Sequence, residues 1–489
     1  MTRHNGMHLT RQWQLLFDEL FLDRAKGVRL CMNAPVQHPE PVLVPDKPWE
    51  AQGICGYNTA LREADGRFRL WYGAMMKTGL PSEGAIRLCY AESDDGLSWR
   101  KPNLGLIPFR GSRDNNIVAP TDELQSQQGA TVYRDEQAPE AERYKLWTKF
   151  RPSDAQCGAG WISGLYAMHS PDGIHWSLYP DQPNPRSQMC DTQNMFFRDP
   201  RAGGWAGYTR VTETQHIDEA AEMGRGRYRT VGRITSPDFK TWSSTAITFE
   251  ADDEDRAIPL PVPKVGPRPP LDVYTNCAMP YPGAQDAYLM FPSIYYHWGE
   301  GEAPAALDVQ LATSRDGIRW RRAGERRPFL RHGFDGAATS GMLYANPWLV
   351  PAGNEWWLYY CGTSRRHVAS DGTPKQSGLF RASIRRDGFV SLDAGYGGGE
   401  FTTPPMTFEG SRLEVNVEGS AGGWMKVEVL DAEGKALPGY GFDDADVVMG
   451  NSLCRSVSWK GNPELPAGSQ PVRLRFVMRD VKFYAFRVG

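Results

Sequence analysis

The sequence predicts an all-β protein, a five-bladed β-propeller followed by a C-terminal β-sandwich. Three observations lead there. The phrase Ser-x-Asp-Gly-x-x-Trp recurs along the 489 residues, each copy follows an aromatic run, and segments of helical period are scarce in a chain rich in Gly, Pro and aromatic residues. The box occurs as Ser93-Asp94-Asp95-Gly96-Leu97-Ser98-Trp99, as Ser170 to Trp176, as Ser236 to Trp242 with Phe239 in the Gly place, and as Ser314 to Trp320. A worn copy around Asp387-Gly388 has lost the Trp. Copies stand roughly 65 to 80 residues apart, too far for a solenoid turn and suited to a propeller blade.

Taken in order, residues 1–47 read as lead-in strands, with apolar runs at Leu15-Leu16-Phe17 and Val28-Arg29-Leu30-Cys31 before a Pro-rich stretch. Residues 48–395 hold the repeats. Their aromatic runs are Phe68-Arg69-Leu70-Trp71-Tyr72, Tyr144-Lys145-Leu146-Trp147, Trp205-Ala206-Gly207-Tyr208, Tyr288-Leu289-Met290-Phe291 and Trp356-Trp357-Leu358-Tyr359-Tyr360. Each run follows a turn rich in Gly, Asp, Pro or Asn, and another apolar run precedes that turn, so a unit reads as four strands. The box itself is a turn: Asp bonds its own backbone, Gly supplies a positive φ, and Trp packs between blades. Residues 400–489 change texture, with period-two strands such as Met425-Lys426-Val427-Glu428-Val429 that read as a sandwich with one wet face.

Composition narrows the function. A net charge of −3 without a Lys/Arg cluster argues against nucleic acid, and no apolar run reaches membrane-spanning length. The eight cysteines show no C-x-x-C pair, so neither a metal nor a cofactor is expected. The amino terminus lacks the apolar core of a secretion signal, which points to the cytoplasm, or to export if a leader has been removed.

In a propeller the innermost strands line a central funnel, so polar residues at their heads are the candidates for chemistry. Those heads contain Trp49-Glu50 and Asn58, Asp191 and Asn194, and Asp272-Val273-Tyr274 with Asn276. Carboxylates beside aromatics and amides suit cleavage of a glycosidic bond, which needs an acid, a base or nucleophile, and groups that hold the sugar. The chain resembles the five-bladed β-propeller glycosidases, the invertase-like and arabinanase-like enzymes, together with relatives carrying the Ser-x-Asp-Gly-x-x-Trp box. That resemblance implies a glycoside or oligosaccharide substrate, with catalytic carboxylates at Glu50, Asp191 and Asp272. Trp49-Glu50 stands where those enzymes have Trp-x-Asn-Asp-Pro, and their Glu-Cys pair has no counterpart. Phe197-Arg198-Asp199-Pro200 repeats their Arg-Asp-Pro, yet Asp199 falls in a hairpin turn, so Asp191 is the better positional match. Expected sugar contacts are Trp49, Asn58, Asn194, Arg210, Glu213, Tyr274, Asn276, His297 and His367. Arg210, His297 and His367 keep a glycoside phosphorylase open as an alternative, and the missing signatures keep open a non-catalytic carbohydrate-binding propeller.

Overall fold

A computed structural model describes residues 7–76, 86–118, 126–151, 158, 162, 164–180, 191–213, 228–257, 270–297, 305–367, 376–466, 468 and 470–489. Regular structure among them is nearly all β, with only short helical turns, and the sheets follow one another in a propeller-like arrangement. Ile54–Arg62, Phe68–Met75 and Ile86–Ser93 form an antiparallel sheet. Ser126–Arg134, Tyr144–Arg151, Gly164–Ser170 and Ser177–Leu178 form a second, and Met195–Asp199, Gly204–Glu213, Tyr228–Ser236 and Ala246–Phe249 a third. In each, spatial order follows chain order.

The strands of 271–322 depart from a single four-stranded sheet. The inner run breaks between Leu271–Thr275 and Ala278–Pro280, where Cys277 takes a φ of +50°, and the two halves join different networks. Ala278–Pro280 pairs onward through Tyr288–Met290 and Ala312–Ser314 to Arg321–Arg322. Leu271–Thr275 pairs through Ser293–Tyr296 to Leu307–Val309, and a parallel bridge at Met342 carries that network into Met342–Ala345, Glu355–Thr363 and Ser377–Arg385. The strand that follows the worn box, Val390–Ala394, leaves to pair with Val28–Met32 and Arg473–Val488. Its place beside Ser377–Arg385 is taken by Val36–Gln37 from the amino-terminal region.

Gln14–Leu15, Arg24–Lys26, Val28–Met32, Val390–Ala394, Gly399–Thr402, Leu413–Leu430, Asn451–Ser456 and Arg473–Val488 make one hydrogen-bonded network. Alternation puts Val415, Val417, Met425, Val427 and Val429 into a core with Phe401, Phe476, Phe483 and Phe486.

One bond recurs between neighbouring sheets. Inside each Ser-x-Asp-Gly box, Ser Oγ accepts the Gly N–H and Asp Oδ1 accepts the next two N–H groups, as at Ser93 and Asp95, Ser170 and Asp172, and Ser314 and Asp316. The Gly carbonyl is left to accept from an aromatic side chain of the preceding sheet. Trp71 Nε1 donates to Gly173 O at 2.6 Å, Tyr208 Oη to Gly317 O at 2.6 Å, and Tyr359 Oη to Gly96 O at 2.8 Å, which ties the 342–385 strands back to the 54–93 sheet. At the worn box Tyr281 Oη donates to Asp387 Oδ1 instead. Where Phe239 replaces Gly at φ +66°, Trp147 stacks on its ring at 6.0 Å and its N–H has no oxygen partner. Box tryptophans then pack on the same aromatics, Trp99 edge-on to Tyr359 and Trp320 edge-on to Tyr208.

Gly173 serves twice, holding φ +75° and leaving room for Trp71, whose ring would lie 2.6 Å from an added Cβ. Gly173→Ala is expected to destabilise by about 2–4 kcal/mol, from the backbone penalty together with overpacking. Gly283→Ala, with a similar φ of +77° and open space around it, should cost only about 1 kcal/mol. Denaturant unfolding of the two variants checks this, and equal losses would remove the role of the inter-sheet contact.

Candidate functional site

The polar groups at the heads of the innermost strands converge on Tyr274. Asp191 lies just before Met195–Asp199, and Arg210 comes from the neighbouring strand Gly204–Glu213. Arg210 Nη1 donates to Asp191 Oδ1 at 2.5 Å, its Nη2 donates to the Tyr274 carbonyl at 2.5 Å, and its guanidinium lies 4.4 Å over the Tyr274 ring. Asn194 Oδ1 accepts the Arg210 backbone N–H, which fixes where that side chain starts. A second arginine, Arg229, lies over both Tyr274 and Tyr295 at 5.0 Å and donates through Nη1 to Asp272 Oδ2 at 3.1 Å. His297 Nε2 stands 3.4 Å from the same oxygen without hydrogen-bond alignment. His367 sits between two phenols, with Nε2 at 3.0 Å from Tyr274 Oη and Nδ1 at 3.4 Å from Tyr295 Oη.

The two carboxylates of this cluster differ in access. The Asp272 side chain is fully buried and its Oδ1 has no partner, whereas the Asp191 side chain is 41% exposed. Burial pushes both carboxyls up. For Asp191 the charges of Arg210 and Lys149 more than offset this, and for Asp272 the nearby His297 and Arg229 do, so both are held below the usual carboxylate range. A carboxyl pushed the other way is Asp308, raised to about 7 by burial. It belongs to the opposite face, because Asp308 pairs with Ile294 while Asp272 pairs with Tyr295. Its shift reports burial between sheets rather than chemistry in this cluster.

Glu50 is not brought to this group. Its Oε2 accepts from the backbone N–H groups of Asp46 and Lys47 and from Lys101 Nζ at 2.8 Å, and its Oε1 accepts from Tyr72 Oη at 2.6 Å. Every lone pair that faces the protein is spent, so Glu50 acts as a buried anchor for the 48–50 turn. Trp49 beside it is buried as well, donating to Asn116 Oδ1 and lying edge-on to Phe109. The amides of Asn58, Asn194 and Asn276 are sealed from solvent and spent on backbone groups, Asn58 between Cys55 O and Gly73 N, Asn194 between Thr192 O and Arg210 N, Asn276 between Tyr208 O and Ala278 N. They brace inner strands and present nothing to a ligand. Glu213 ends its strand, and its side chain lies outside the described residues. Asp199 caps the turn at Pro200–Ala202 and accepts from Tyr288 Oη, as its place in a hairpin implies.

Arg229, Tyr295 and Lys149 were not legible as site residues. Lys149 carried a signal, a cation inside the apolar run Trp147-Thr148-Lys149-Phe150. Arg229 carried none, since it arrives two strands from Asp272 in sequence and meets it only across the gap between sheets. No group of three or more metal-ligating side chains occurs among the described residues. A separate cleft of 880 Å³ runs between residues 248–254, 320–327 and the strands near Cys31. Most of its charges are already paired, as Arg322 with Asp255, Arg326 with Asp252, and Lys482 with Asp393.

No protein-family model matches the sequence, and no curated protein does. Solved structures that it resembles include a BT0996 RGII complex, at 12% identity over 73% of this protein and 92% of that one with a TM-score of 0.48. Others are an N-acetylgalactosamine deacetylase from F. plautii in complex with blood group B trisaccharide (14% identity, 74% and 96% covered, TM-score 0.45) and the Bombyx mori GH32 beta-fructofuranosidase BmSUC1 (11% identity, 94% and 95% covered, TM-score 0.42). Overlaps this loose carry no argument about chemistry, and the printed activities differ among themselves.

Asp272 links the cluster to pH. Its folded pKa is depressed, so its pairing contributes stability above the unfolded carboxylate pKa and loses it as pH falls through the lower folded value. Asp272→Asn should therefore cost about 1–3 kcal/mol at pH 7 and less at pH 3. Denaturant unfolding at the two pH values tests the sign.

Proposed function

We propose that the chain is a glycoside hydrolase built on a five-bladed propeller of residues 48–395 with a C-terminal β-sandwich of residues 400–489, and that Asp191 and Asp272 are its carboxylate pair. The observation that carries the reading is the shared cluster around Tyr274. There, acids from the heads of two successive inner strands are each held by an arginine that lies over Tyr274, one acid open to solvent and one buried with an unpartnered oxygen. The box latch from Tyr359 to Gly96 supports the closed ring, and the 18- and 16-residue strands of the C-terminal network are long enough to fold across two layers.

The environments separate the roles. Asp272 stays ionised while His297 and Arg229 hold one oxygen in place; its Oδ1 has no protein partner but is closed to solvent, so its role as base or nucleophile requires the cluster to open when the sugar binds. Asp191 exchanges protons with solvent and serves as the acid, with Arg210 setting how readily it is protonated. Tyr274, partly exposed where Tyr295 is buried behind it, supplies the aromatic surface against which a sugar ring packs. The substrate is an oligosaccharide or other glycoside, and the reaction needs no cofactor in this scheme.

Two results test it. On a panel of aryl glycosides, Asp191→Asn and Asp272→Asn should each lower kcat by about 10²- to 10⁴-fold, while Glu50→Gln lowers thermal stability and leaves kcat near the parent's. Full turnover in both Asn variants would end the reading. The acid must carry its proton and its pKa is depressed, so turnover should decline as pH rises from the acid side. Arg210→Gln removes the charge that depresses it and should move that declining limb to higher pH, measured as kcat/KM against pH.

A further inference from the structure

Four tyrosines pack together at the same cluster: Tyr57 from Ile54–Arg62, Tyr274, Tyr295, and Tyr344 from Met342–Ala345. Their rings are in contact, Tyr57 with Tyr344 at 5.7 Å, Tyr274 with Tyr344 at 6.0 Å, and Tyr274 with Tyr295 at 5.8 Å. Three of the hydroxyls are engaged. Tyr274 and Tyr295 face His367, and Tyr344 Oη lies 3.2 Å from Met342 Sδ.

Tyr57 is different. Its ring is buried, and its phenol lies within electrostatic reach of Arg210 and Tyr274. Its hydroxyl makes no hydrogen bond with any described residue, yet it is not among the sealed polar atoms that lack a partner, so it keeps a little contact with solvent beside the cluster. A hydroxyl held on a buried ring with nothing to bond is costly unless water or a ligand satisfies it. Burial also drives its pKa well above the usual tyrosine value, so it is a neutral donor near neutral pH. Such a group binds an acceptor oxygen and does not serve as a nucleophile.

We infer that Tyr57 is a substrate-contacting, specificity-determining residue whose hydroxyl donates to a hydroxyl oxygen of the sugar bound against Tyr274. The inference rests on the Tyr274 cluster being the sugar site, as proposed above. A site built to bond one hydroxyl rejects analogues that lack it far better than an apolar wall can.

The test uses the full chain and the isosteric variant Tyr57→Phe. Against the best aryl glycoside of the panel, kcat/KM should fall about 10- to 100-fold in the variant, with melting temperature unchanged or raised. Monodeoxy versions of that glycoside should then show one position whose removal penalises the parent strongly and Tyr57→Phe hardly at all. Unchanged kcat/KM, or equal penalties in both proteins at every deoxy position, would overturn the assignment. A lowered melting temperature with unaltered kinetics would make Tyr57 structural and overturn it too. If the parent cleaves no glycoside, the hydrolase reading falls, and calorimetric titration of both proteins with glucose, galactose, mannose and arabinose decides the contact separately. Binding by the parent that Tyr57→Phe weakens upholds it; no binding, or equal binding, refutes it.

Discussion

A backbone carbonyl that accepts a hydrogen bond from the preceding sheet's aromatic side chain is the contact on which the rest of this molecule depends. A small antiparallel sheet buries too little alone to be stable, so each must be fastened to the next through its face. The Ser and Asp of the box occupy the turn's N–H groups, which leaves the Gly carbonyl available and pointed outward. Gly is required both for the positive φ and for the absence of a Cβ where the neighbouring ring arrives. The Phe239 exception fits the same constraint. With a ring in the Gly place, stacking on Trp147 takes over from the hydrogen bond.

Because the sheets are held in register by those contacts, the heads of their inner strands reach a common point. Arg210 bridges its own sheet's acid to the next sheet's Tyr274 carbonyl, and Arg229, from the strand paired with Arg210's, reaches the next sheet's Asp272. Burying such charges is expensive, and each arginine has a carboxylate partner and an aromatic face to offset it. The result is a rigid cluster in which the protonation of each acid is set by a named cation.

The termini cooperate in closing the structure. Val36–Gln37 fills the edge beside Ser377–Arg385, while Gln14–Leu15, Arg24–Lys26 and Val28–Met32 join the C-terminal network. An exposed sheet edge is thereby covered by a segment remote in sequence. The same exchange accounts for the eroded final box, whose following strand is recruited elsewhere.

Much of the architecture could be read from residue order, since the box, the aromatic runs and the period-two strands are local patterns whose physics is local: turn bonding, positive φ and alternation of faces. Asp191, Asp272, Arg210, Tyr274, His297 and His367 were legible for the same reason, as polar residues at strand heads or in the loops beside them. Glu50 looked equivalent but turned into a neighbouring Lys101 and Tyr72, and the three asparagines turned into their own backbones, because where a side chain points is decided by what packs around it. Arg229 and the open hydroxyl of Tyr57 were invisible for a related reason. Sequence by itself determined that repeated β units with acids and aromatics at their heads would form. Tertiary structure alone decided which of those heads share a cluster, which charges they find, and that the Tyr57 hydroxyl is left unbonded by its described neighbours, because contacts between sheets join residues that lie far apart in sequence and share no spacing rule.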